Sequence, residues 1–171
     1  MHPSYVDVEN EFFEIGIEAQ YLSVRLAHLD ALNPPADPQE KWEATLICAS
    51  AAEKIYTGCE RVMARLAADL DGVAVTHAEG WHIALLRRMA HPYPAVRGAV
   101  ISGECHAVLD KVRSFRHRER NTYGINLDFA LVVERAFEAV TAFKMLHDEV
   151  IALLAGRNNR DGAAPAGPAV G

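Results

Sequence analysis

The residues best suited to chemistry are concentrated in one short segment, residues 111–124, with the sequence KVRSFRHRERNTYG. In a chain of formal net charge −6, this segment carries five basic side chains and a single glutamate. The basic residues are Lys111, Arg113, Arg116, Arg118 and Arg120. In a helix, positions i, i+3, i+4 and i+7 share one face. Counted from Arg113, these positions are Arg113, Arg116, His117 and Arg120.

A stripe of guanidinium groups on an acidic protein has two interpretations. Guanidinium groups bind phosphate oxygens through charge-assisted hydrogen bonds, so the stripe can be a surface for phosphate or nucleic acid. Alternatively, it is a basic face that carboxylates from elsewhere in the chain neutralise. Offset around the same helix, Val108, Val112 and Phe115 are expected to face the core.

Long helices are expected to position this segment. Apolar residues recur at spacings of three and four from about Ser4 to Leu32, and the following prolines end that helix. Asp37 is the expected N-cap of a second long helix, with Pro38 at its first position, and Asp71-Gly72 ends it. A short helix is expected over 79–90, with two prolines after it.

Two further helices complete the predicted fold. Ser102 is expected to cap the helix that carries the basic segment and ends near Arg120, and Asp128 to cap a last helix that runs to about Leu154. Residues 156–171 have too little hydrophobic content to fold and are expected to form a disordered tail. No alternating strand pattern occurs, so the predicted fold is all-α, with one domain over residues 1–155.

Composition limits the class of protein. Half of the residues are hydrophobic and only 8% are aromatic, which is typical of a helical bundle. A pI near 5.7 excludes a nucleic-acid coat over the whole surface. Cys48, Cys59 and Cys105 lack metal or disulfide spacing and predict reduced thiols. The absence of a signal-like or long apolar segment predicts a cytoplasmic protein with no membrane contact.

The eight histidines do not predict a metal centre. Glu79 and His82 have the Glu-x-x-His spacing of di-iron bundles, but those bundles need a second such motif and two more glutamates. His28, His106 and His147 fall at core-facing or boundary positions and are expected to be structural. No glycine-rich phosphate loop is present, and no cofactor is expected.

Three segments resemble the HepT-like branch of the HEPN domain superfamily. They are IYTGCERVMARLAADLDG (Ile55–Gly72), GWHIALLRRMA (Gly80–Ala90) and VRSFRHRERNTYGINLD (Val112–Asp128). The similarity spans roughly Ser4 to Leu154. It implies a HEPN-type antiparallel helical bundle that forms a homodimer and brings two copies of its motif together. It also implies a metal-independent ribonuclease, usually a toxin whose antitoxin is a small nucleotidyltransferase.

The family's catalytic motif is an arginine, four to six residues, a histidine, one residue and a tyrosine. Arg116 matches the arginine, with His117 as the polar residue that often follows it, and Tyr123 matches the tyrosine. The resemblance implies that the antitoxin transfers AMP to Tyr123. RNA is then expected to contact Arg113, Arg120, Arg118 and Lys111.

Asn121 stands where the motif has its histidine. Cleavage through the RNA 2′-hydroxyl needs a group that exchanges a proton near pH 7, which histidine does and asparagine does not. The Asn121 amide can still donate hydrogen bonds to a phosphoryl oxygen. His117, one helical turn earlier, is a possible substitute.

These observations leave three functional hypotheses. The first is a HepT-like ribonuclease toxin that Asn121 impairs. The second is a catalytically inactive HEPN protein that binds RNA or has a regulatory role. The third is a scaffold whose basic helix docks an acidic partner protein, and it predicts no salt-sensitive affinity for RNA.

Overall fold

The computed structural model describes residues 3–32, 35–76 and 78–161, and within them the side chains of residues 5–29, 35–76, 78–116, 119 and 121–156. This part of the chain is helical and contains no strand, which confirms the all-α prediction. Its helices are α1 (Pro3–Leu32), α2 (Pro38–Asp71), α3 (Trp81–Ala90), α4 (Gly103–Arg120) and α5 (Phe129–Asp161). A short 3₁₀ helix, Gly124–Asn126, lies between α4 and α5.

The helix ends follow the predicted capping residues. The Asp37 carboxylate accepts a hydrogen bond of 2.9 Å from the backbone N–H of Glu40, and Gly72 ends α2 at a φ of 69°. That φ lies in the left-handed region that glycine adopts without steric cost. Ser102 caps α4, since its hydroxyl accepts from the N–H of Cys105 at 3.1 Å. Asp128 caps α5 in the same way.

Two predicted boundaries differ from the structure. Helix α3 begins at Trp81 and not at Glu79, because Gly80 has a φ of 74° and forms a turn with the residue before it. Helix α5 continues beyond the predicted end at Leu154 to Asp161. Gly156 lowers helix propensity by about 1 kcal/mol, which does not by itself end a long helix. Of the predicted tail, residues 162–171 lie outside the described part of the chain.

Helices α1 and α2 form an antiparallel pair. Asp7 binds Arg65, Glu11 binds Arg61 and Glu18 lies 4.0 Å from Lys54. Residues later in α1 therefore pair with residues earlier in α2, which shows that the helices are antiparallel. A Cβ atom added at Gly58 would lie 2.5 Å from Cγ1 of Ile15, so the absence of a side chain permits this close approach.

The apolar core lies among α1, α2, α4 and α5, and α3 packs against α2 and α4. Val112 and Phe115 of α4 are buried in it and Val108 is partly buried, as predicted. One side of α4 therefore packs against α5, and another side packs against α2 and α3.

The three cysteines are free and buried, which agrees with reduced structural thiols. Burial raises the pKa of Cys59, and it raises that of Cys105 to about 12. Neither thiol is therefore a nucleophile at neutral pH.

The predicted structural roles of the histidines hold only in part. His147 packs edge-on against the Phe12 ring, with centroids 5.0 Å apart. His28, in contrast, is exposed, because Leu26 and Leu29 provide the core-facing positions of that turn. Among the described residues, no cluster of metal-ligating side chains occurs, and no helix is long and apolar enough to cross a membrane.

Candidate functional site

Arg116 is held inside the bundle and does not stand on a solvated stripe. Its Nη1 donates to Oε2 of Glu60 at 2.6 Å, and its Nε lies 3.3 Å from Oε1 of Glu53. The side chain is only 12% exposed. The guanidinium carbon also lies 5.9 Å from the centroid of the Tyr56 ring, within the range of a cation–π contact. Helix α2 thus provides both charge partners and one wall of the pocket around this arginine.

Glu60 joins three helices through one carboxylate. Oε2 binds Arg116 of α4, and Oε1 lies 2.5 Å from Nδ1 of His82 of α3. The Glu60 side chain is 4% exposed. A carboxylate this deeply buried is tolerated only when it is paired and hydrogen-bonded. The network Glu53–Arg116–Glu60–His82, which we call the Glu60 cluster, therefore has to form as a unit.

Tyr56 forms the floor of the Glu60 cluster. Burial, followed by the negative charge of Glu60, raises the pKa of Tyr56 far above its ordinary value. The hydroxyl lies beside that carboxylate, whose charge and hydrogen-bonding capacity both favour the protonated form of the tyrosine. It is a neutral, buried donor next to the cluster.

Two other basic side chains of the segment 111–124, Lys111 and Arg113, are also paired within the chain. Lys111 binds Glu138 at 2.9 Å, and Arg113 binds Asp110 at 2.8 Å on its own helix. For these two residues and Arg116, the structure matches the second interpretation of the stripe, neutralisation by carboxylates. The predicted roles of His117, Arg118 and Arg120 concern side chains outside the described part of the chain.

The remainder of the motif lies at the end of α4, which stops at Arg120. Asn121 is exposed in the turn that follows, and the Tyr123 side chain is 82% exposed. Gly124 lies directly against α2, where an added Cβ atom would approach Cδ2 of Leu46. This contact fixes the segment after α4 on the N-terminal half of α2.

Sequence reasoning missed Glu53 and Glu60, and it considered His82 only as a metal ligand. A usable signal existed for Glu60. It lies four residues after Tyr56 and three before Met63, on the same buried face of α2. A glutamate at a core-facing helical position requires a cationic partner, which here comes from Arg116.

The fold and the site define an all-α protein with a largely buried arginine–carboxylate cluster. The sequence profile described as HepT-like protein matches residues 47–156, and the chain belongs to this HepT-like family. The match begins within α2 and leaves α1 outside, so it is shorter than the resemblance over Ser4–Leu154 suggested. Searches of the curated proteins and of the solved structures find no significant match.

Proposed function

We propose that this protein is a ribonuclease toxin of the HepT-like type, acting in the cytoplasm without a metal ion and controlled by a nucleotidyltransferase antitoxin. The observation that carries the proposal is the position of Arg116. It is fixed by Glu53 and Glu60 at the end of the bundle where α4 leads into Asn121 and Tyr123. Three free cysteines support a reducing compartment.

Arg116 is suited to stabilise the charge that develops on a phosphoryl group during cleavage. A guanidinium has five N–H donors, and the contacts with Glu60 and Glu53 use only the Nη1 and Nε sides. The remaining donors suit a phosphoryl oxygen, and the fixed orientation means that no reorganisation is needed when RNA binds. The buried Glu60 and the partly buried Glu53 act as positioning residues.

Asn121 lowers the expected activity. The position follows Arg116 at the motif's spacing, but an amide provides no proton near pH 7. Loss of a general acid–base group typically lowers the rate by about 10² to 10⁴. This substitution is also the observation that favours the second candidate function, an inactive HepT-like protein that still binds RNA.

Tyr123 is the proposed site of regulation. Its side chain is 82% exposed, so a partner enzyme has access to the hydroxyl. Nucleotide transfer there would place an anion next to the end of α4, where it competes with RNA phosphate for the same cationic groups. Antitoxin control and catalysis would then share one surface.

A homodimer is part of the proposal. Large exposed apolar side chains lie where the segment after α4 meets α2, and we call this surface the motif-end patch: Trp42, Tyr123 and Ile125. Pairing through this patch brings two sites together. A second exposed apolar row on α1, the α1 stripe, comprises Val6, Phe13, Ile17, Tyr21 and Val24.

The test is RNA cleavage by purified protein in the presence of EDTA. Asn121→His is expected to raise the rate by about 10² or more, because it restores a proton-transfer group at the motif position. Arg116→Ala in the Asn121→His background should remove that activity, whereas Arg61→Ala, on the side of α2 that faces α1, should not. An Asn121→His protein that binds RNA without cutting it would favour the second candidate.

A further inference from the structure

His82 belongs to the candidate site although no part of the sequence motif includes it. Its Nδ1 and the Nη1 of Arg116 bind the two oxygens of the same carboxylate, at 2.5 and 2.6 Å. The imidazole and the guanidinium are therefore held side by side by Glu60. Of the described histidines, His82 is the one that this carboxylate connects to Arg116.

The surroundings of His82 fix the orientation of the ring. With Nδ1 facing a carboxylate, the favoured neutral tautomer carries its proton on Nδ1 and leaves Nε2 as a proton acceptor. The same order of carboxylate, imidazole and hydroxyl operates in Ser-His-Asp enzymes, where the hydroxyl is that of the enzyme's serine. Trp81 packs on the ring with a centroid separation of 3.9 Å, which restricts rotation of the imidazole further.

Exposure of the ring is consistent with contact to a substrate. The His82 side chain is 32% exposed, whereas its Glu60 partner is 4% exposed. The pair is thus partly open to solvent on the imidazole side and closed on the carboxylate side, which leaves room for contact between His82 and a substrate.

We propose that His82 is a catalytic residue, the group that accepts the proton of the RNA 2′-hydroxyl, and that it provides from α3 the function which Asn121 cannot perform from the end of α4. The inference rests on the proposed function as a ribonuclease. It gives a function to the Glu60–His82 pair beside Arg116 in a chain whose motif has asparagine.

The proposed step conserves atoms and charge. Nε2 of His82 takes the proton of the 2′-hydroxyl as the 2′-oxygen forms a bond to phosphorus and the bond from phosphorus to the 5′-oxygen breaks. The leaving 5′-oxygen takes a proton from water, and the imidazolium then returns its proton to solvent. The products are a 2′,3′-cyclic phosphate and a 5′-hydroxyl, and Arg116 stabilises the charge on the phosphoryl oxygens.

The experiment compares four proteins on one RNA oligonucleotide with EDTA present: wild type, His82→Gln, Asn121→His and the double variant. Gln retains an N–H that can bind Glu60, and thermal unfolding checks that each protein is folded. Wild type is expected to cleave slowly, and His82→Gln to lose about 10² to 10⁴ of that rate. The double variant should regain activity, because the motif histidine replaces the lost proton acceptor. His91→Gln, an exposed histidine bonded to the Arg87 carbonyl, is the matched control.

The outcomes separate this inference from the proposed function. If Asn121→His cleaves but wild type does not, the ribonuclease assignment stands and the role of His82 is overturned. The same conclusion follows if wild type and His82→Gln cleave equally, or if the folded double variant stays inactive. If none of the four proteins cleaves RNA, the proposed function fails and the inference fails with it.

Discussion

Arg116 and Glu60, 56 positions apart in the chain, are joined by a hydrogen bond of 2.6 Å between α4 and α2. The pair has opposite consequences for the two residues. It allows a carboxylate to remain charged in the interior, and it takes the arginine out of the solvated stripe that the sequence predicts. The arginine gains a fixed orientation in return, which is the property that transition-state stabilisation requires.

Removing the charge of Glu60 is expected to destabilise the fold. Glu60→Gln leaves Arg116 with Glu53 as its described charge partner and weakens the link to His82. Breaking one side of a buried pair costs about 3–5 kcal/mol, and we expect the lower end of that range because Glu53 remains. Urea unfolding at pH 7 measures the loss. Glu14→Gln, at an exposed site on α1, should change the free energy of unfolding by less than about 0.5 kcal/mol. Equal stabilities of the two variants would contradict the importance of the pair.

Stability is expected to fall in acid because of a second buried carboxylate. Asp71 receives hydrogen bonds from Arg88 and Arg97 at 2.6 and 2.5 Å. Burial alone would raise the pKa of Asp71, but the hydrogen bonds from Arg97 and then Arg88 outweigh it and lower the pKa below its ordinary value. A folded-state pKa below the unfolded one adds stability above the unfolded pKa, and this stability is lost as the pH falls through the folded value.

The matching variant is Asp71→Asn. It should lower the free energy of unfolding by about 3–5 kcal/mol at pH 7, since it leaves two arginines without their charge partner. The difference from wild type should shrink below about pH 4, where the wild-type carboxylate also begins to lose its charge. Asp69→Asn, at an exposed position on the same helix, serves as the control. A difference that is constant from pH 7 to pH 3 would exclude this carboxylate as the source of the acid sensitivity.

RNA affinity is expected to depend on salt. Each phosphate contact adds about −0.7 to the slope of log affinity against log salt for a single strand. Replacing both Arg113 and Arg120 by Ala should therefore reduce the slope by about 1.4 if each meets one phosphate. Fluorescence anisotropy at several salt concentrations gives the slope. Arg61→Ala, which removes an ion pair to Glu11 on α1, should leave it unchanged. Affinity that does not respond to salt would reject RNA as the ligand.

Tyr123 is expected to accept AMP from the proposed nucleotidyltransferase antitoxin. Co-expression followed by intact-mass measurement should show mass added in AMP units, and Tyr123→Phe should abolish the addition. Tyr21→Phe is the matched control, because Tyr21 is similarly exposed but lies on α1. If the wild-type protein stays unmodified when it is co-expressed with an active partner enzyme, Tyr123 is not the site of AMP transfer.

Self-association is expected to use the motif-end patch and not the α1 stripe. Ile125→Asp places a charge in the patch and should convert a dimer to a monomer in light scattering, because a buried unpaired charge is costly at an interface. Phe13→Asp places the same charge in the α1 stripe and should leave the dimer intact. If Phe13→Asp gives a monomer and Ile125→Asp leaves the dimer intact, the interface lies on α1. The motif segments of the two protomers would then not meet at the interface.

The sequence by itself determined the helices and most of their ends. Asp37, Gly72, Ser102 and Asp128 act within one turn of the residues they cap, so their effect depends on local spacing alone. The same is true of the core-facing positions of α4, which follow from helical periodicity. The family can also be identified from the sequence, because its motif consists of residues that are close together in the chain.

Only the tertiary structure determined which charged side chains of different helices pair with one another. Arg116 is one of several arginines on a basic helix, and local spacing indicates the partner of Arg113 but not the partners of Arg116. The two differ because α2 brings Glu53 and Glu60 to one of them, whereas Asp110 of the same helix pairs with the other. His82 enters the site for the same reason, since Glu60 lies 22 residues before it in the chain. Pairing of charges depends on which helices meet, and the packing of the whole bundle fixes that.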